Sequence, residues 1–195
     1  MSSTNRGTKR RKSDYYVTPI EPIKKFLKEL CREEPYFAEK LNRGCILDPC
    51  AGGDKEHEMS YPKAIKEYLN QKRFIKTIDI REDSRANKTS NYLSKYIYDN
   101  IDIIISNPPF RDAMKFIKKS LDDVKNRGYV IYLLRLNYFG TQKRYEFWQK
   151  YMSKYTFVHH KRMSFTDEGG TDSIEYAHFV WQKNNYPKFS KIKVI

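Results

Sequence analysis

The chain is 195 residues long, which fits one domain of ordinary size with a substantial core. Hydrophobic residues make up 39% and aromatics 15%, which excludes a disorder-type composition, and no apolar stretch approaches the roughly 20 residues that cross a bilayer. Lys and Arg total 38 against 24 Asp and Glu, and the resulting charge of +14 points to a polyanionic partner.

Residues 1–12 carry Arg6, Lys9, Arg10, Arg11 and Lys12 with no acid, among Ser, Thr, Asn and Gly. That composition predicts a disordered basic arm over 1–13 and a single folded domain over 14–195. The arm holds five of the positive charges and leaves +9 on the remainder, so the body is itself basic. A solubilising tail is the bland reading of the arm alone; arm and body together favour nucleic acid. No apolar run follows the basic residues, so no secretory signal is expected.

Further along, Ile23, Phe26, Leu27 and Leu30 recur at helical spacing and predict a helix over 21–31, with Pro22 in its first turn. Cys45-Ile46-Leu47 reads as a buried strand stopping at the turn 48–54. A short helix is expected over 63–69, a strand over 74–80 that ends at Asp79, and a strand over 101–105. Ala113, Met114, Phe116, Ile117, Leu121 and Val124 have helical periodicity, with Gly128 as the expected terminator. A strand over 129–134, a helix over 145–152, and two strands at 157–159 and 177–181 flanking the turn-rich 166–172 complete the pattern. Strands alternating with helices imply a parallel sheet with right-handed crossovers, and the closing pair implies an antiparallel edge.

Cys31, Cys45 and Cys50 are odd in number and form no C-x-x-C pair, which argues for a reducing, intracellular setting. His57, His159, His160 and His178 have no partners at zinc spacing; they read as surface or packing residues, and no metal is expected.

In an open parallel sheet, ligands bind outside the carboxyl ends of the strands, near the point where strand order reverses. Both unusual loops fall at such ends. The turn at 48–54 places small residues where backbone must approach a ligand, and Asp79 follows the next strand at a spacing suited to ribose hydroxyls. A structural turn with a surface acid is the commoner reading of that pair alone. In Asn107-Pro108-Pro109-Phe110, two prolines withhold N–H donors and leave carbonyl oxygens free to accept, the Asn side chain adds an oxygen, and Phe110 offers a face for stacking. By composition alone a strand-capping turn with a packed Phe is the simpler alternative.

Taken together, Asp48-Pro49-Cys50-Ala51-Gly52 and Ser106-Asn107-Pro108-Pro109-Phe110 resemble the paired signatures of S-adenosylmethionine-dependent amino-methyltransferases, in particular the DNA adenine-N6 class. Tyr16-Val17-Thr18-Pro19 resembles the motif that closes over the methionine end of the cofactor, Asp79-Ile80 its ribose and adenine contacts, and Asn91-Tyr92-Leu93 the segment edging the cofactor adenine. Stretches 128–144 and 162–183, with Arg135, Phe139, Gln142 and Trp181, are similar to small enzymes encoded by bacteriophages and prophages. The resemblance covers roughly residues 14–183. It implies a Rossmann-like class I α/β fold, with a mostly parallel seven-stranded sheet, an antiparallel C-terminal edge pair and helices on both faces.

Its implied site is catalytic Asn107, Pro108, Pro109 and Phe110, with Tyr16, Thr18, Pro19, Asp48, Pro49, Ala51, Gly52, Asp79, Ile80, Asn91 and Tyr92 around S-adenosylmethionine. Arg6, Lys9, Arg10, Arg11, Lys12, Lys143 and Arg144 are the expected nucleic-acid contacts. Two positions depart from the family: Asn91 stands where an acid is usual, and Asp54 where a third glycine is common. Larger relatives carry a separate target-recognition domain, for which this length leaves no room.

The implied reaction is methyl transfer to the N6 amine of adenine in DNA, with the base flipped out of the stack. RNA adenine, a protein glutamine and a non-catalytic nucleic-acid binder are the alternatives. Selectivity is expected from the loops 55–62, 136–144 and 160–172, from the basic arm or from a second subunit, with Tyr138 and Phe139 read as packing residues. The implied setting is the cytoplasm of a bacterial or phage-infected cell, with a role such as restriction-modification and no membrane partner. No particular oligomeric state is implied.

Overall fold

The computed structural model of the protein describes residues 16–94, 98–165 and 174–195. The basic arm and the turn-rich 166–172 lie outside the described residues. The first helical periodicity folds as α1 (Ile20–Glu33), which buries Ile23, Phe26, Leu27 and Leu30. Pro35 opens a helix absent from the expectations, α2 (Pro35–Arg43), whose Phe37 and Leu41 lie one turn apart and are both buried. Strand β1 (Ile46–Asp48) leads through a turn into α3 (Ser60–Leu69). Then come β2 (Lys76–Asp79), the two-residue β3 (Lys88–Thr89), β4 (Ile101–Ser106) and α4 (Ala113–Asp123). Strand β5 (Val124–Arg135) is followed by 3-10 turns at Leu136–Phe139 and Gln142–Arg144, and then by α5 (Tyr145–Lys150). Strands β6 (Tyr155–Val158), β7 (Tyr176–Gln182) and β8 (Lys191–Val194) close the order.

The strands form one sheet in the order β3-β2-β1-β4-β5-β7-β6-β8. Strands β1 to β5 pair in parallel, and β7 runs antiparallel to both β5 and β6. The sheet therefore has eight strands where the resemblance implies seven. The eighth, β8, pairs in parallel with β6, so the antiparallel pair lies one strand inside the edge. Gly128 also differs from expectation. The helix ends at Asp123, and the chain turns at once into β5, whose Val124 pairs with Ile101. Gly128 lies inside β5 because a Cβ there would come within 2.5 Å of Val124 Cγ2 and 2.9 Å of the Asp102 carbonyl.

Every residue of β4 is buried, as a central parallel strand covered on both faces requires. Ile103 and Ile105 point into a core shared with α1, α2 and α3, whereas Ile101 and Ile104 point into one shared with α4 and α5. A polar cluster is enclosed on the α1 side. There the Tyr61 hydroxyl bonds His178 Nε2 at 3.0 Å, His178 Nδ1 bonds His159 Nε2 at 2.7 Å, and the His178 ring stacks on Phe26. Burial, with the charges of Lys25 and His160 adding, pushes His159 down to about 4, and burial with His159 holds His178 well below the usual imidazole range. Both histidines have packing roles. Among the described residues, no helix is long and apolar enough to cross a membrane.

Candidate active site

The strand order reverses across β1, which lies between β2 and β4, so the loops leaving β1 and β4 stand side by side at the carboxyl end of the sheet. Asp48, Ser106 and Asp79 are the last residues of β1, β4 and β2. All three are buried, and the two acids are 1% and 7% exposed respectively.

Ser106 Oγ donates to Asp48 Oδ1 at 2.5 Å, and the Cys50 N–H donates to the same oxygen at 3.2 Å. This pair, 58 residues apart, has no signal in the sequence. Asp48 Oδ2 is buried and receives no hydrogen bond among the described residues. Burial raises this carboxyl to about 7, with the charge of Asp79 acting in the same direction, while the bonds from Ser106 and Cys50 work against it. An acceptor oxygen enclosed at this loop fits a ligand that brings a cation or a hydrogen-bond donor.

Asp79 is committed differently. Its Oδ2 accepts from the Gly52 N–H at 2.8 Å and its Oδ1 from the Arg81 N–H at 2.8 Å, so the carboxylate ties the turn after β1 to the end of β2. A carboxylate has about four lone-pair positions, and both oxygens keep capacity for ligand hydroxyls. The turn itself needs glycine: Gly52 and Gly53 have φ of 65° and 75°, in the left-handed region. Ala51 and Pro49 are buried beneath it. Asp54, in the third-glycine position, folds the chain back on itself. Its Oδ1 accepts the N–H groups of Glu56 and His57 and bonds the His57 ring at 3.0 Å. Burial opposes ionisation of Asp54, but those hydrogen bonds outweigh it and hold the carboxyl below the usual range.

Beside Asp79, Ile80 is 60% exposed and presents an apolar face at the end of β2. Asn91 is exposed and spends its Oδ1 on the Leu93 N–H at 3.0 Å, capping its own turn. Tyr92 is buried, with its ring stacked on Phe116 and its hydroxyl 3.0 Å from Ser120 Oγ, so its side chain belongs to the core on the α4 face.

The loop after β4 is oriented by a contact across 89 residues: Asn107 Nδ2 donates to Thr18 Oγ1 at 3.0 Å. Thr18 is buried, Tyr16 is half-buried, and Pro19 caps α1 with an extended backbone. With its nitrogen engaged, Asn107 leaves Oδ1 as an acceptor. The Pro109 carbonyl accepts from the Asp112 N–H at 3.0 Å, while the Pro108 carbonyl receives no hydrogen bond among the described residues. Phe110 is half-buried, 5.9 Å from the Tyr176 ring, with the Arg135 guanidinium 5.1 Å over its face. The structure thus brings two acceptors, the Asn107 Oδ1 and the Pro108 carbonyl, and an aromatic ring to one loop, beside the turn built on Asp48 and Asp79.

Of the expected nucleic-acid contacts, the arm residues Arg6, Lys9, Arg10, Arg11 and Lys12 lie outside the described residues. Lys143 is exposed, whereas Arg144 donates to the Tyr138 carbonyl and stacks 4.0 Å from the Tyr138 ring centroid. Tyr138 is buried, and Phe139 packs on Trp148 and Phe179, so both are packing residues. Among the described residues, no group of three or more His, Cys, Asp and Glu side chains is arranged to hold a metal.

No protein-family model matches the sequence, nor does any curated protein. Solved structures do resemble the fold. A type I restriction-modification methyltransferase subunit from Streptococcus thermophilus aligns with a TM-score of 0.64 at 12% identity, over 92% of this chain and 47% of that one. A protein assigned as an RNA methyltransferase from Pyrococcus horikoshii aligns with a TM-score of 0.61 at 14% identity, over 93% of each chain. A protein assigned as a class I S-adenosylmethionine-dependent methyltransferase from Listeria monocytogenes has a TM-score of 0.57 at 14% identity. This chain covers 65% of the Listeria protein. The likeness establishes the Rossmann-like methyltransferase fold.

Proposed function

We propose that this chain transfers a methyl group from S-adenosylmethionine to the exocyclic N6 amine of adenine in DNA. The observation that carries the reading is the Asn107 amide, held by Thr18 through its nitrogen so that Oδ1 stands as an acceptor beside the unbonded Pro108 carbonyl. The amine of adenine is a weak nucleophile because its lone pair is delocalised into the ring. Two acceptors that take its two hydrogens draw the nitrogen towards tetrahedral geometry and stabilise the positive charge it develops. Their orientation is set before substrate arrives, because the loop is anchored by Thr18 and by two prolines. The exposed part of the Phe110 ring is the surface on which the extruded base stacks, at a cost of a few kcal/mol in lost pairing.

S-adenosylmethionine supplies an electrophilic methyl on a sulfonium centre. On this reading the Asp48 carboxylate and the turn 49–53 hold its charged end, Asp79 its ribose hydroxyls, and Ile80 its adenine. The unbonded Asp48 Oδ2 supports a cationic ligand. The proton that leaves the methylated amine departs along the Asn107 Oδ1 and Pro108 acceptors to solvent; no basic side chain is required to remove it first. RNA adenine is the second reading, favoured by the Pyrococcus neighbour that matches over 93% of each chain.

Tritiated-methyl transfer to DNA, RNA and a glutamine-containing peptide tests the reading. Label in DNA, lost in Asn107→Ala, is the expected result. Label confined to RNA or peptide, or full activity in Asn107→Ala, overturns it.

A further inference from the structure

Immediately after β5 the chain builds a second recess, separate from the loop at Asn107 and from the turn at Asp48. It has a volume of about 460 Å³ and lies between the 3-10 turn Gln142–Arg144 and α5. Phe139, Trp148 and Met152 form its floor, and Gln142, Tyr145 and Gln149 its rim. The floor is rigid: Trp148 is 5% exposed, is held 4.6 Å from Phe139 and 6.1 Å from Trp181, and donates its Nε1–H to the Tyr138 carbonyl. The rim is free. Tyr145 is 63% exposed and makes no ring contact among the described residues, and both glutamines are exposed.

Aromatic faces lie beneath neutral amides, with no charged side chain in the lining. They suit a flat, uncharged ring bearing hydrogen-bond donors and acceptors on its edge. Lys143 and Lys150, next in sequence to the lining residues Gln142 and Gln149, are exposed and available to phosphates attached to that ring. The contact between Phe110 and Arg135, the last residue of β5, sets the start of this segment beside the loop at Asn107, on the side of β4 away from β1.

We infer that this recess binds a second, unpaired nucleobase of the nucleic-acid strand whose target base enters the loop at Asn107. Tyr145 stacks on it, and the Gln142 and Gln149 amides read its edge, as glutamine does with the N6 and N7 of adenine. The site makes this segment a determinant of flanking sequence. The inference rests on the nucleic-acid reading above but not on methyl transfer.

Fluorescence anisotropy with labelled 12-nucleotide single strands of mixed sequence, one of DNA and one of RNA, measures it directly. Tyr145→Ala and Gln142→Ala change exposed side chains, and unchanged thermal midpoints verify their folding. Tyr145→Ala should weaken binding of the preferred strand about tenfold, Gln142→Ala should weaken it for some base compositions and not others, and Tyr145→Phe should bind like the parent. The DNA and RNA arms identify which strand is preferred. Parent-like affinity in both alanine variants overturns the inference, as does a parent that binds neither strand. An effect of Lys143→Ala with none of Tyr145→Ala would show a phosphate contact alone and overturn it as well. Methylation takes no part in the measurement, so failure here and failure of the proposed reaction are distinguishable.

Discussion

Replacing Asp48 with asparagine should shift the stability balance between variant and parent in favour of the variant as pH rises. In the unfolded chain this carboxyl ionises near its ordinary 3.8, and in the fold near 7, because burial penalises the charged form more than Ser106 and Cys50 favour it. A group whose folded value is raised contributes stability that is fully present below 3.8 and is lost as pH climbs through 7. The whole displacement is worth about 4 kcal/mol, of which roughly 2–3 kcal/mol falls between pH 5 and pH 8. The introduced amide does not titrate, and its carbonyl oxygen can still accept from Ser106 and Cys50. Its nitrogen, in place of the unbonded Oδ2, costs about 1–3 kcal/mol at every pH. The variant should therefore lose least, or gain, at pH 8. Urea unfolding followed by tryptophan fluorescence at pH 5 and pH 8 gives the two differences. The stability difference between variant and parent should shift by roughly 2–3 kcal/mol in favour of the variant across that interval. A difference that stays constant within about 0.5 kcal/mol would refute the assignment of Asp48 as a buried, penalised acid.

Asp79→Ala removes the acceptor that holds the Gly52 N–H and should weaken S-adenosylmethionine binding by about 1.5–3 kcal/mol in calorimetry; an unchanged affinity would exclude Asp79 from the site. Thr18→Val should lower turnover about tenfold with cofactor affinity preserved, and Thr18→Ser should restore it, since the hydroxyl acts by positioning Asn107; full turnover in Thr18→Val contradicts this. His159 and His178 are buried as neutral rings with values depressed below 6.5, so their stabilisation is complete above pH 6.5 and is lost as pH falls towards 4. His159→Gln should flatten that decline in acid-denaturation curves, and an identical curve would show that other groups cause it. Deleting residues 1–12 should lower DNA affinity and reduce the log–log salt slope by as much as about 0.9 for each of its five basic residues engaged, and an unchanged slope would leave the arm as a tail.

The elements legible in the sequence are those with long periodic runs. Residues 20–33 and 101–106 are recognisable from helical spacing and from an isoleucine-rich run interrupted only by Asp102, and both fold where expected. What escapes is short or defined only by pairing. Lys88–Thr89 is a strand solely because β2 lies beside it, and Lys191–Val194 because β6 does. The helix at Pro35–Arg43 carries only two buried apolar residues, although Pro35 at its start is a readable signal. Gly128 misleads because a glycine after a helical run resembles a cap, whereas here it makes room for Val124 and the Asp102 carbonyl.

The site divides in the same way. Both loops are recognisable because each motif is contiguous in sequence. The bonds from Asn107 to Thr18 and from Ser106 to Asp48 join residues 89 and 58 apart, and no local pattern announces them. Tyr92 shows the reverse case: a motif position whose side chain the fold uses for packing against Phe116.

Mass spectrometry of nucleosides from DNA incubated with the protein and S-adenosylmethionine tests the central claim most directly. The acceptor pair at Asn107 and Pro108 predicts N6-methyladenine as the main product, absent when Asn107→Ala replaces the parent. N4-methylcytosine as the main product, or unmodified DNA from a folded protein that binds the cofactor, would contradict it.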